Sequence, residues 1–137
     1  VSAAQHVRDA MVPEPATLDA TATAQKAGER LSEPAVRAVL VCDDGQLVGV
    51  ITRKTLVREI VAGGRDPRLT RAGEIAEPPH YTLDAALSLD DAFRALEEHD
   101  LERVPVVEDG RLVGVLSRAV LQRRLAEDEP PPAQQQV

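Results

Sequence analysis

The residues best suited to chemistry stand at two matching places. They are Thr52-Arg53-Lys54-Thr55 and Ser117-Arg118-Ala119-Val120, each following an apolar run, "GQLVGVI" and "GRLVGVL". A hydroxyl followed by an arginine at the start of a helix suits anion binding. Backbone N–H groups and the helix dipole favour negative charge there, and a guanidinium holds phosphate oxygens through paired donors. A solvent-facing arginine in a first helical turn is the plainer account of Arg53 and Arg118. Catalytic constellations are missing from the sequence. No nucleophile lies with a base, no carboxylates pair at a glycine-rich turn, no ligands fall at metal spacing, and there is no Gly-x-x-x-x-Gly-Lys phosphate loop. His6, His80 and His99 stand alone and are expected at the surface. The single cysteine, Cys42 in "AVLVC", is expected to be a small core hydrophobe.

The elements that position these turns must come from an aliphatic core. The 137 residues are 43% apolar, with one Phe, one Tyr and no Trp. Branched side chains alone can still reach normal packing density. A net charge of -7 argues against nucleic acid or an anionic membrane as partner, since both want a basic face. Local basic clusters (Arg65, Arg68, Arg71; Arg123, Arg124) carry no interleaved aromatics. No leader and no run of about 18 apolar residues is visible, so the expected compartment is the reducing cytoplasm. Alanine- and arginine-rich usage suggests a bacterial origin.

Shifted by 65 positions, residues 7–62 align without a gap on 72–127, and roughly a third of the positions are identical. "TLDA" recurs at Thr17–Ala20 and Thr82–Ala85, and "LVGV" recurs after an Asp-Gly pair in both copies. This is an internal duplication, and it sets the organisation of the chain. Each copy opens with a proline-bearing segment and a short extended stretch. A helix follows, with inward positions Ala24, Ala27, Gly28, Leu31 and Leu89, Ala92, Phe93, Leu96 at i, i+3, i+4, i+7. Ser88 and Asp91 suit a helix cap. Two β runs then meet at Asp-Gly, a strong hairpin signal. Thr52 or Ser117 caps a closing helix, and Leu56, Val57, Ile60 and Val61 are expected to give the first of these a buried face. The order is β-α-β-β-α, twice, in an α/β (α+β) fold. The expected organisation is repeat one at 1–62, a linker at 63–71, repeat two at 72–127 and a disordered Pro- and Gln-rich tail at 128–137. Neither half alone buries enough apolar surface to stand independently.

The ordered set "VRDAMVP", extended "TL", helix, "RVPVV" and "DGRLVGVLS", written twice at one spacing, resembles the tandem cystathionine-β-synthase (CBS) domain pair, or Bateman module, as in small bacterial CBS-domain proteins. Copy two is the cleaner match, with Val104-Pro105-Val106-Val107. Copy one has Leu40 where the family prefers proline. The resemblance implies a regulatory module rather than an enzyme. It implies two repeats packed with pseudo-twofold symmetry, clefts between them for AMP, ADP, ATP or S-adenosylmethionine, and pairing into homodimers. No cofactor is required and no metal is implied.

By that resemblance the ligand-facing positions are Thr17, Val39, Thr52, Arg53 and Thr55 in copy one. In copy two they are Tyr81, Thr82, Arg103, Val104, Ser117 and Arg118. Tyr81 suits stacking on a purine, and equally a half-buried packing role. The family's closing Asp, which grips both ribose hydroxyls, is replaced by Thr55 and by Val120. Losing charge-assisted bonds to a diol costs on the order of 1.5–3 kcal/mol each. Two functions follow. One is a sensor of an adenine nucleotide or another phosphorylated metabolite, with Thr52 and Thr55 the better site. The other is an interaction or dimerisation module with degenerate clefts, which holds itself or a regulated partner protein.

Overall fold

The computed structural model describes residues 6–13 and 15–127. The tail from Asp128, expected to be disordered, lies outside the described residues. In chain order the elements are α1 (Val7–Ala10), β1 (Val12–Pro13), β2 (Thr17–Asp19), α2 (Ala24–Leu31), β3 (Ala38–Asp43) and β4 (Gln46–Thr52). Next come α3 (Arg53–Leu56), continued by a π-helical turn at Val57–Val61, then α4 (Ala72–Ile75), β5 (Leu83–Asp84), α5 (Leu89–Glu98), β6 (Arg103–Glu108), β7 (Arg111–Ser117) and α6 (Arg118–Glu127). Each repeat is therefore β-α-β-β-α: β2-α2-β3-β4-α3 and β5-α5-β6-β7-α6.

Local chemistry accounts for these elements. Both hairpin turns place Asp and Gly in the left-handed region, Asp44 and Gly45 at φ 51° and 82°, Asp109 and Gly110 at 53° and 81°. That is the mirror-image turn whose twist suits two-residue hairpins. Thr23 and Ser88 cap α2 and α5, accepting from the backbone N–H groups of Lys26 and Asp91. Ala24, Ala27 and Leu31 are buried on α2, and Leu89, Ala92 and Leu96 on α5, as the helical spacing predicts.

The chain divides into two compact units, and they do not follow the order of the repeats. Unit one holds residues 6–13, 81–108 and 113–127 of the described chain; unit two holds 15–80 and 109–112. Unit two packs Leu18, Leu31, Val39, Val41, Ile51 and Ile75 into its core. In it β2 runs parallel to β3 (Leu18 beside Val41), and β3 runs antiparallel to β4 (Val39 beside Ile51). Unit one packs Val7, Leu89, Leu96, Val104, Leu116 and Leu121, with β5 parallel to β6 (Leu83 beside Val106).

The lead segments are exchanged. In unit one, the Val7 and Arg8 N–H groups donate to the Leu87 and Ala85 carbonyls at 2.8 and 3.1 Å, and Val12 of β1 pairs with Val115 of β7. In unit two, Ala72 and Gly73 donate to Ala22 and Ala20 at 2.7 and 2.9 Å, and Glu77 exchanges both backbone hydrogen bonds with Val50. Positions 12 and 77, and 115 and 50, correspond under the 65-residue shift. The segment that opens each repeat thus packs in the unit built mostly from the other repeat. This explains the glycine kept in both "LVGV" runs. A Cβ on Gly49 would sit 2.5 Å from the Glu77 carbonyl oxygen, and one on Gly114 would sit 2.8 Å from that of Val12. Only a residue without a side chain lets the lead backbone approach so closely.

One expectation needs correction. Leu56, Val57, Ile60 and Val61 do not share a buried face. Leu56 and Ile60 pack on the core, whereas Val57 and Val61 are 58% and 74% exposed. The segment is a π turn, closed by the Ala62 N–H donating to the Val57 carbonyl at 2.8 Å. Leu56 and Ile60 lie on the inward side of the segment and Val57 and Val61 on the outward side, so the inward stripe carries two of the four residues.

Candidate functional site

The Thr52 turn lies wholly in unit two, where β4 passes into α3. Ala38 and Thr52 are paired at the end of the β3–β4 ladder, with Val39 beside Ile51. Thr52 caps α3. Its side chain accepts from the Thr55 N–H at 3.3 Å, while the Thr52 N–H donates to the Thr55 hydroxyl oxygen at 3.1 Å. This is a capping box with threonine in the place more often filled by Glu or Gln. Thr55 is fully buried, and its hydroxyl donates to Glu77 Oε2 at 2.6 Å. The Arg58 guanidinium meets the other carboxylate oxygen at 2.7 Å. Thr55's hydrogen bond, then Arg58, holds the Glu77 carboxyl below its ordinary range, while Glu77 and Glu59 raise Arg58 in return. Thr55 is thus committed to the protein's own carboxylate.

The two arginines that follow the hydroxyls meet different surroundings. Arg53 is exposed, and its Nη2 donates to the Glu33 carbonyl at 2.9 Å. Among the described residues it forms no ion pair. Arg118, whose side chain is 21% exposed, lies against Asp100 at 3.4 Å, Glu102 at 3.7 Å and Glu97 at 3.8 Å. Its backbone N–H also donates to the Glu102 carbonyl at 2.8 Å. Under the repeat shift these three acids correspond to Ser32, Ala35 and Arg37, so copy one has no counterpart to the acidic cage. Ser117 caps α6 by accepting from the Val120 N–H at 3.1 Å.

The remaining expected residues divide by unit. Thr17 and Val39 sit in unit two, with Thr52, Arg53 and Thr55. Thr17 is exposed on β2, its carbonyl taken by Arg30 at 2.7 Å. It borders a cavity of about 290 Å³ lined also by Asp19, Cys42 and Asp44, and this cavity does not include Thr52 or Arg53. Val39 is buried in the core. In unit one, Arg103 is exposed on β6, Val104 is buried, and Thr82 is half-buried before β5. Tyr81 is half-buried against the core of unit one, and its ring lies 4.7 Å from that of His99, tilted by 37°. His99 is therefore at the surface as expected but not isolated. The same holds for His6, which joins Asp9 in capping α1. Cys42 is buried, and burial and then the charge of Asp19 push its thiol pKa up, which makes it a poor nucleophile.

Glu77 is the residue that sequence reasoning missed. It lies in the lead segment of repeat two, 22 positions from Thr55, and the matching residue of repeat one is Val12. The available signal was a paired difference: Thr55 and Glu77 in one register, Val120 and Val12 in the other. Among the described residues, no three His, Cys, Asp or Glu side chains converge as metal ligands, and no helix is long and apolar enough to cross a membrane.

The family described as "CBS domain" matches residues 7–62 and 72–127. Hypoxic response protein 1 of Mycobacterium tuberculosis is 36% identical over 106 residues, covering 77% of this chain and 74% of that protein. CBS domain-containing protein YhcV of Bacillus subtilis is 29% identical over 111 residues, 81% of this chain and 79% of the relative. A crystal structure of Hypoxic Response Protein I with two coordinated zinc ions superposes with a TM-score of 0.72 at 32% identity, covering 86% of this chain and 97% of that one. One of CBSX2 in complex with AMP gives 0.69 at 27% identity, covering 89% and 96%. The chain belongs to the CBS domain family as a tandem pair, a regulatory module.

Proposed function

We propose that this CBS pair senses an adenine nucleotide or a related phosphorylated metabolite, and that the Thr52–Arg53 turn of unit two takes the ligand's phosphate through Arg53. The observation that carries this is the contrast between the two arginines. Arg53 presents an exposed guanidinium that, among the described residues, pairs with no carboxylate, whereas Arg118 is surrounded by three acids. A phosphate approaching Arg118 meets like charge before it meets the arginine. The AMP complex of CBSX2, similar in fold and sequence, supports an adenine nucleotide as the first ligand class to try. Two zinc ions in the similar Hypoxic Response Protein I place zinc in the same panel.

The test is a thermal-shift panel of AMP, ADP, ATP, S-adenosylmethionine, NAD, inorganic phosphate and zinc. A ligand at a hundred times its dissociation constant adds about 2.7 kcal/mol to the folded state, several degrees for a chain this size. The expected result is a shift with the adenosine phosphates that Arg53→Ala abolishes and Arg118→Ala does not. A shift unaffected by Arg53→Ala places the ligand elsewhere.

A second function is favoured by Thr55. Its full burial and its bond to Glu77 suit a turn closed by its own side chains, as in a homodimerisation or partner-holding module. A flat ligand panel, with a molecular mass that rises with concentration in light scattering, is the outcome that selects it.

A further inference from the structure

Thr52, Thr55 and Glu77 form one hydrogen-bond chain whose direction is forced. An ionised carboxylate only accepts, so in the 2.6 Å contact with Glu77 the proton belongs to Thr55. Thr55 has no second O–H to give. In the 3.1 Å contact between the two hydroxyls the donor is therefore Thr52. The two lone pairs of Thr55 are then filled by the Thr52 O–H and the Thr52 backbone N–H. Thr52 has turned its own proton inward, and one of its lone pairs takes the Thr55 N–H. One lone pair is left on a half-buried side chain. Thr52 thus meets anything outside the turn as an acceptor.

Glu77 holds this arrangement without help from a ligand. Its backbone is fixed by two bonds to Val50, at 2.8 and 2.9 Å, and by the close approach that Gly49 permits. Its second carboxylate oxygen is held by Arg58. The matching turn of repeat two has Val120 in place of Thr55 and Val12 in place of Glu77. Ser117 accepts from the Val120 N–H, and with a valine at 120 there is no side-chain oxygen there to take its proton. The duplicated turns therefore differ: the Ser117 hydroxyl keeps its proton available, whereas that of Thr52 is turned inward.

We propose that Glu77 sets the hydrogen-bond polarity of the Thr52 turn, so that Thr52 accepts from a ligand hydroxyl or amine and turns away an acceptor-only group. The inference rests on the ligand function proposed above and refines it: the phosphate belongs to Arg53, and a donor group of the same ligand belongs to Thr52.

The test starts on the ligand-free full chain by NMR. The Thr55 hydroxyl proton is expected as a slowly exchanging, downfield resonance with Overhauser contacts to the Glu77 side-chain methylenes. A proton placed between the two threonine oxygens, or no protected hydroxyl resonance, overturns the proposal whatever the chain binds. Calorimetry then compares AMP with 2′,3′-dideoxy-AMP, which lacks the hydroxyl donors, and with IMP, which lacks the amine. The parent is expected to lose about tenfold in affinity for one of the two analogues, the worth of one hydrogen bond. In Glu77→Gln, whose amide can donate to Thr55 and reverse the chain, that ratio is expected to fall towards one. Equal binding of all three by the parent overturns the role in specificity. Binding of none, in a chain whose Thr55 proton faces Glu77, overturns the ligand function and leaves the polarity standing.

Discussion

The Thr55 hydroxyl lies 2.6 Å from Glu77 Oε2 and donates to it across 22 residues of chain. Thr55, standing where the resemblance to the family implies a ribose-gripping Asp, is thus a buried threonine that holds a carboxylate from elsewhere in the chain. Thr55→Val keeps the shape but leaves the Thr52 N–H and O–H without an acceptor. The expected cost is about 1–3 kcal/mol, read by urea unfolding. Thr55→Asp sets a second carboxylate against Glu77, and close like charges force one of them to take a proton. That variant is expected to melt below Thr55→Val and to gain no nucleotide binding. Adding Glu77→Ala should recover part of the loss. A Thr55→Asp chain as stable as the parent would contradict this account.

Acid should weaken the same contact. The folded-state pKa of Glu77 is lowered, chiefly by Thr55 and then by Arg58. Its contribution is therefore complete above the ordinary glutamate value of about 4.3, and it is lost as pH falls through the lower folded value. Asp19, lowered by the hydroxyl and N–H of Thr21, acts in the same direction. Glu77→Gln should flatten the fall in stability below pH ~4.3 and change little near neutrality in slope. Melting temperatures of parent and variant from pH 3 to pH 7 check it, and parallel curves would remove Glu77 from the explanation.

The glycines of the two "LVGV" runs should be intolerant of alanine. A Cβ on Gly49 meets the Glu77 carbonyl at 2.5 Å, and one on Gly114 meets Met11 Sδ at 2.5 Å and the Val12 carbonyl at 2.8 Å. Each substitution pushes a lead segment off its strand, at an expected cost of about 1–3 kcal/mol. Hydrogen exchange should show where. Gly49→Ala is expected to release the Val50 and Glu77 amides, and Gly114→Ala those around Val12 and Val115. Unchanged protection at these amides would mean that the lead segments are held by other contacts.

Arg53 and Arg118 should separate function from structure. Arg118→Ala leaves three acids facing one another and is expected to cost about 1 kcal/mol, the upper end for pairs near the surface. Arg53→Ala removes one carbonyl contact from an exposed side chain and should stay within about 0.5 kcal/mol of the parent. Paired denaturant titrations check this order, and a larger loss for Arg53→Ala would assign it a packing role.

What the sequence by itself determined is whatever short stretches of chain control. The Asp-Gly turns at 44–45 and 109–110 need left-handed backbone, so the hairpins were legible, and so were the caps at Ser88, Thr52 and Ser117 and the inward faces of α2 and α5. Repetition at one spacing made the family legible too. The π turn at Val57–Val61 was not, nor was the exposure of Val57 and Val61, because apolar residue types do not by themselves say how wide a stripe the core covers. Only the tertiary structure decided which lead segment packs in which unit, since residues 7–13 and 72–78 suit either partner by composition. The same exchange brings Glu77 to Thr55, saturates that threonine, and orients the hydroxyl of Thr52. Neighbouring residues dictate backbone conformation through sterics and local hydrogen bonds. The direction of a hydrogen-bond chain depends on which acceptor arrives from far along the sequence, and that is settled only when the core closes.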